Sequence, residues 1–356
     1  MKADELLRTL SAVNKVARVI TMADGSRLLI LEHGGRILGL FTPESDENFF
    51  WTNPVLASIE SAKRFYDSDE WHNSGGERMW LSPEIDLFFP DYPDLALYHQ
   101  PRQLDPGNYE LSTENGCPCL TNRLALTPAR SGKRVELEIS KSIAPAVDPL
   151  RYEPGFSSID SVYYAGYTLQ ASLKITGGDT GCRIGLWNLL QLPHGGDLVI
   201  PTHSKAVPRV YFGDIPPDDL EISDHLLIYH MRAGGEQKIG IRVVPVTGRV
   251  GYLYRTGNRW ALVVRSFTAN PSGEYIDSPW DFPDEIGYAV QACNICSGLG
   301  EFSELEYHAP AIGGETGYTC CRDESLLWAY RGDKETILEI AEKLLSSDLR
   351  RQLISK

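Results

Sequence analysis

The sequence predicts an all-β protein folded as one large antiparallel sandwich. Three observations predict it. Well over a dozen short segments read as strands, either alternating or continuously apolar. Gly, Pro, Asn or Asp separates most of them, and the 356 residues include 32 Gly and 22 Pro, a composition rich in turns. Helical spacing of apolar residues is seen only at the two ends of the chain. Nothing alternates strand with helix, which argues against a doubly wound parallel sheet. No repeat of roughly 20–50 residues is visible, which argues against a propeller or solenoid.

Each element follows in order. Leu6, Leu7, Leu10 and Val13 recur at helical spacing and predict a helix over about 3–13. "VARVITM", "SRLLILEH" and "RILGLF" then read as strands parted by "ADG" and "GG" turns. Residues 42 to 108 are richer in Pro, Asp and Glu and read as long loops over a sheet, the usual place for binding residues. "NYELST", "CLTNRLALTP", "RVELEISKSI", "SVYYAGYTLQASLKIT", "CRIGLWNLLQL", "GDLVIPT", "HLLIYHM", "KIGIRVV", "RVGYLYRT", "RWALVVRSF", "IGYAVQACNI" and "FSELEYHAPA" continue the strands. Ile337, Ile340, Leu344 and Leu345 form one stripe of a terminal helix over about 334–354. No low-complexity linker divides the chain, so one domain over 1–356 is expected, with the two helices as appendages.

The net charge of −14 and pI near 5.1 argue against nucleic acid, whose phosphates require a basic face. No basic run suits an anionic membrane surface, and no stretch approaches the length of a transmembrane helix. The first residues lack the apolar run of a signal peptide. Seven cysteines at irregular spacing do not form a secreted disulfide scaffold. These features together predict a reduced, cytoplasmic protein. They leave its oligomeric state open.

Three stretches could carry chemistry. In "HNSGGERMWLSPE" two glycines allow backbone conformations closed to other residues, and Arg78, Trp80 and Glu84 follow. Arg78 can donate paired hydrogen bonds and Trp80 offers a flat apolar face, a combination that suits a sugar ring. The plainer reading is a turn, an ion pair and a buried Trp. In "GLWNLLQLPHGGDLVIPT" alternation puts Trp187, Leu189 and Gln191 on one face, with His194 just past the strand. Here the plainer reading is a core strand with an exposed His194. In "FSELEYHAPA" Glu304, Glu306 and His308 occupy every second position. On a strand they share one face, with the two carboxylate positions roughly 7 Å apart, while Leu305 and Tyr307 face the core. Carboxylate plus imidazole is a workable acid–base set. The alternative is a charged outer face.

"CNIC" has the spacing of a zinc knuckle, yet on a strand Cys293 and Cys296 point to opposite faces, so no metal is expected. No phosphate loop, dinucleotide fingerprint or nucleophile elbow occurs, so no cofactor is expected either.

"LILEHGGRILGLF", "FFWTNP", "GGERMWLSPE", "LWNLLQLPHGGDLVIPT" and "FSELEYHAPAIGGETGY", as an ordered series along the chain, resemble the galactose mutarotase-like (aldose 1-epimerase-like) superfamily, in an uncharacterised bacterial branch. The resemblance implies a β-supersandwich with a sugar cleft on one sheet. In that family a late-strand Glu takes the anomeric hydroxyl proton and a His protonates the ring oxygen. "LEYHAP" places Glu306 at that Glu, and Arg78 falls near a hydroxyl ligand. The family's acid His lies in a mid-chain motif; here the comparable strand is "LWNLLQLP", with Trp187 and Gln191 in place of a His. The implied assignment is Glu306 as base, His308 or His194 as acid, Arg78, Gln191 and Glu84 on hydroxyls with Glu304 beside them, and Trp80 or Trp187 stacking on the ring. The ligand is a small sugar or an oligosaccharide. Three activities fit: an aldose epimerase, a non-catalytic sugar-binding module or sensor, and a glycoside hydrolase or lyase. A His within reach of a ring set against Glu306 favours the first, and its absence favours the second.

Overall fold

A computed structural model describes residues 1–152 and 162–350. Two antiparallel sheets face each other. In spatial order the nine-stranded sheet runs Ala17–Thr21, Arg27–Leu31, Arg36–Phe41, Glu77–Ser82, Gly185–Pro193, Gly300–His308, Tyr288–Ser297, Gly235–Arg242 and Arg209–Phe212. The ten-stranded sheet runs Leu220–Ile222, Leu226–His230, Asp197–Pro201, Arg249–Thr256, Arg259–Phe267, Cys320–Gly332, Tyr163–Gly178, Val135–Pro145, Cys117–Leu126 and Glu110–Glu114. This is the large antiparallel sandwich that the strand pattern and the mutarotase-like resemblance imply. Among the described residues, no helix is long and apolar enough to cross a membrane.

The main core fills the space between the sheets. Leu190, Leu192 and Leu305 from one sheet meet Ile139, Leu173 and Leu327 from the other. Polar links cross the same space. The Tyr307 hydroxyl donates to Asp323 at 2.6 Å and lies 2.9 Å from the Ser325 hydroxyl, and its ring stacks on Phe267 at 4.6 Å. Glu77 pairs with Arg265 at 2.9 Å, both fully buried. Leu305 and Tyr307 therefore face the core as the alternation predicts, which sends Glu304, Glu306 and His308 to the opposite face of the sheet.

The terminal helices each cover one sheet. Ala3–Ala12 packs Leu6 and Leu10 on Leu29, Leu31 and Phe41. Lys334–Leu344 packs Ile337, Ile340 and Leu344 on Leu253, Leu262 and Val264. The helix is shorter than the predicted 334–354, and residues 351 to 354 lie outside the described residues.

Two expectations are corrected. Helices are not confined to the ends: Ile59–Asp67 is helical, capped by Ser58, whose hydroxyl accepts the Ser61 N–H at 3.1 Å, and Glu84–Leu87 forms one turn. Few apolar residues mark the former, since it buries only Ala62 and Tyr66 fully. The segment from 42 to 108 is also not merely loops, because Glu77–Ser82 lies in the middle of the nine-stranded sheet. All six of its residues are buried, and because two of them, Glu77 and Arg78, are charged it reads neither as an alternating strand nor as an apolar run. The strands Arg209–Phe212, Leu220–Ile222 and Cys320–Gly332 also escape the sequence pattern.

Gly75 and Gly76 form the corner that leads into Glu77–Ser82. Their φ angles are +100° and +71°. A Cβ on Gly76 would lie 2.3 Å from the Ile37 carbonyl oxygen and 2.7 Å from the Leu38 Cα. Backbone cannot yield as a side-chain tip can. Gly76→Ala is therefore expected to cost at least about 1–3 kcal/mol, read as a lower midpoint of urea unfolding, whereas an unchanged midpoint would place this corner in open space.

Candidate functional site

Five adjacent strands of the nine-stranded sheet supply the floor of a cavity of about 300 Å³. Alternation sets which side chains reach it. Glu77–Ser82 gives Arg78 and Trp80; Gly185–Pro193 gives Trp187 and Leu189; Gly300–His308 gives Phe302, Glu304 and Glu306; Tyr288–Ser297 gives Cys293 and Ile295; Gly235–Arg242 gives Glu236 and Lys238. Register aligns them across the sheet: Arg78 opposite Leu189 and Leu189 opposite Glu306, then Gln191 opposite Glu304 and Glu304 opposite Cys293. The connections around 84–100 and 277–280 form the roof, with Glu84, Tyr98 and Trp280.

The charges are buried and paired. Glu304 Oε1 accepts from Arg78 Nη1 at 2.7 Å and from Gln191 Nε2 at 2.9 Å. The Arg78 guanidinium also lies over Trp80, 4.1 Å from the ring centroid. Trp80 and Trp71 are fixed by donating their indole N–H groups to Asp105 Oδ2, each at 3.0 Å. Lys238 sits between two carboxylates, 3.4 Å from Glu84 Oε2 and 3.5 Å from Glu306 Oε2, and 4.4 Å above the Trp187 ring. Glu84 ties the roof together. It accepts from Tyr98 at 2.7 Å and Trp280 at 3.0 Å, and its own N–H donates to Asp277 Oδ1 at 2.7 Å.

Glu306 is the distinctive group. It is completely buried, and Oε2 accepts the Trp187 indole N–H at 2.8 Å. Oε1 has no hydrogen-bond partner among the described residues. Burial pushes its carboxyl up to about 8, with Lys238 opposing and Glu304 and Glu84 adding to the rise. Burial works against the charge on Lys238, but Glu306, Glu84 and Asp277 outweigh it and raise its pKa, so it remains an ammonium. Cys293 is pushed well above the usual thiol range by burial and then by Glu304 and Glu306, so it keeps its proton. Its sulfur and the oxygens of Glu304 and Glu306 lie within 4.8 Å of one another. Arg78 and Lys238 already occupy those two carboxyl groups, and a protonated thiol is a poor metal ligand.

Of the nine residues singled out from sequence, Arg78, Trp80, Glu84, Trp187, Glu304 and Glu306 line the cavity together. Gln191 supports Glu304 without lining it. His308 shares the strand face of Glu306 but lies outside the lining, stacked on Trp187 with centroids 5.4 Å apart. Burial, and then Lys238, depress its pKa well below the usual value, so it is neutral. His194 lies beyond the strand end, half-buried, with Nε2 3.4 Å from the Ala233 carbonyl. Neither imidazole lines the cavity. The reading of a charged outer face gives way, because Glu304 and Glu306 are buried beneath the roof.

Sequence reasoning missed Lys238, Asp277, Tyr98, Trp71, Trp280 and Cys293 as members of the site. Lys238 had a signal: it alternates with Ile239 and Ile241, so it leaves the core face just as Glu306 does. Asp277 and Trp280 come from a connection with no periodicity and had none.

A model of a family described as "Family of unknown function (DUF6786)" matches residues 7–353. No curated protein matches the sequence. The chain is similar to the solved structure of the Slr1438 protein from Synechocystis sp. PCC 6803, with 11% identity, TM-score 0.48, and coverage of 89% of this chain and 94% of that one. It is also similar to the GalM/aldose epimerase homologue from C. elegans, with 8% identity, TM-score 0.44, and coverage of 90% and 100%. A third similar structure is galactose 1-epimerase from Lactobacillus acidophilus NCFM, with 9% identity, TM-score 0.41, and coverage of 90% and 95%.

Proposed function

The chain belongs to the DUF6786 family, whose function is unknown, and from the chemistry of its cavity we propose that it is a carbohydrate-binding protein whose ligand contains a neutral pyranose ring. The observation that carries this reading is the buried floor: Glu306 Oε1 has no partner among the described residues and lies in a lining that also holds the plates of Trp80 and Trp187. A sugar ring offers hydroxyls to the one and C–H faces to the others. Arg78 and Lys238 face Glu84, Glu236, Glu304 and Glu306, so the charge balance disfavours an acidic sugar and with it a lyase. A hydrolase requires two carboxyl groups on opposite sides of the scissile bond. Glu84 and Glu306 instead flank the ammonium of Lys238.

Saturation-transfer difference NMR with glucose, galactose, mannose and xylose tests the reading. Transfer to ring protons of at least one sugar, weakened in Glu304→Gln, is expected. Absence of transfer from all four overturns it.

An aldose epimerase is the second reading, favoured by the elevated pKa and free oxygen of Glu306. The Glu306 carboxylate would take the anomeric hydroxyl proton, the bond from C1 to the ring oxygen would break, and the ring oxygen would take a proton. With both imidazoles outside the lining, the ammonium of Lys238, 3.5 Å from Glu306, would supply that proton. The opened sugar would close on its other face by the reverse transfers.

A further inference from the structure

The cavity does not end at its rim. Trp71, Tyr98, Gln100 and Leu299 line it and also line a second cavity of about 890 Å³. The two are therefore chambers of one cleft, a deep inner one of about 300 Å³ and a broader outer one. Trp71 stands at the threshold with its indole N–H fixed by Asp105 at 3.0 Å. The Arg78 guanidinium lies 5.3 Å from its ring centroid, so the threshold residue is braced by the inner site.

The outer chamber holds an unexplained group. Asn73 is 4% exposed and lines this chamber, yet neither the nitrogen nor the oxygen of its carboxamide has a partner among the described residues. Its backbone is firmly held: the carbonyl accepts from Asn53 Nδ2 at 2.9 Å, and the N–H donates to the Trp71 carbonyl at 3.1 Å. Buried polar side chains are nearly always hydrogen-bonded, and an exception calls for a cause. A carboxamide presents a donor and an acceptor side by side, the pair that two neighbouring hydroxyls satisfy. Trp51 and Phe65 add aromatic surface to the same chamber.

We propose that the ligand is a neutral oligosaccharide, with one terminal sugar in the inner chamber and the next one or two in the outer chamber against Asn73 and Trp71. This deepens the sugar-binding reading and rests on it. Chain-length preference is the quantity to measure, as the ratio of trisaccharide to monosaccharide affinity by isothermal titration calorimetry. The probes are glucose, galactose and xylose with their α- and β-linked trisaccharides. Two variants address the outer chamber. Asn73→Ala removes the carboxamide. Gly298→Trp places a bulky ring on the chamber's lining, at a position where a Cβ meets no atom within 4 Å beyond its chain neighbours. Circular dichroism confirms that both variants are folded.

The expected result is a ratio of about tenfold or more in the wild type, from one added hydrogen-bonding group and a stacked ring, falling towards one in both variants. Equal affinity for monosaccharide and trisaccharide in the wild type, or a ratio that neither variant changes, overturns the inference while the inner site stands. Failure of every probe to bind overturns the inference and the sugar-binding reading together.

Discussion

Replacing Lys238 with methionine is expected to lower stability by about 3–5 kcal/mol, the usual cost of removing one partner from a buried ion pair. The ammonium is only 3% exposed and faces Glu84 and Glu306, which are themselves 5% and 0% exposed at their side chains. Methionine fills a similar space and introduces no charge, so the loss reports the stranded carboxylates and not a cavity. At pH 6 Glu306 already holds its proton, and Glu84 retains Tyr98 and Trp280 as donors, whereas above about 8 Glu306 carries a charge that only Lys238 offsets. The loss is therefore expected to be larger at pH 9 than at pH 6 in urea unfolding. Adding Glu306→Gln to Lys238→Met is expected to recover part of it. A loss below about 1 kcal/mol, the range of an exposed pair, would mean that water reaches Lys238.

Glu306→Gln on its own is expected to change both a pH profile and a rate. In the folded chain the carboxyl holds its proton up to about 8, against an ordinary value of 4.5. Between these values the unfolded chain releases a proton that the folded chain keeps. This contribution to stability is complete below 4.5 and is lost as the pH rises towards about 8. Glutamine has no such proton, so the variant should lose that slope in urea unfolding measured from pH 4 to 9. Parallel slopes in the two proteins would show that Glu306 titrates normally. Under the epimerase reading, the same substitution is expected to reduce the enhancement of anomer exchange by about 10²–10⁴-fold, followed by exchange NMR. An enhancement that survives the substitution would remove Glu306 from the chemistry.

The sandwich was legible because most of its strands are apolar or β-branched runs parted by Gly, Pro, Asn or Asp. Arg249–Thr256 and Arg259–Phe267 have the bounds that their sequence pattern suggests, and Arg36–Phe41 likewise. Glu77–Ser82 was not, since it opens on the charged pair Glu77 and Arg78 and follows a Gly-Gly corner that reads as a loop. The same division holds at the cavity. The shared face of Glu304, Glu306 and His308 follows from a period of two residues. Which of them opens onto the cavity does not, because that depends on Trp187 stacking on His308 across a strand pair more than a hundred residues apart in sequence. Of the roof, the sequence pointed to Glu84, whereas Tyr98 and Trp280 meet it only in three dimensions.

That division between floor and roof has an evolutionary consequence. The acidic and cationic groups of the floor belong to strands whose neighbours fix them in register, so changing one disturbs several. The roof is clasped mainly through one side chain, Glu84, to segments free of sheet pairing. A descendant of this chain can exchange those segments, keep the clasp, and reshape the mouth of the cavity while inheriting the buried ion pairs of the floor intact.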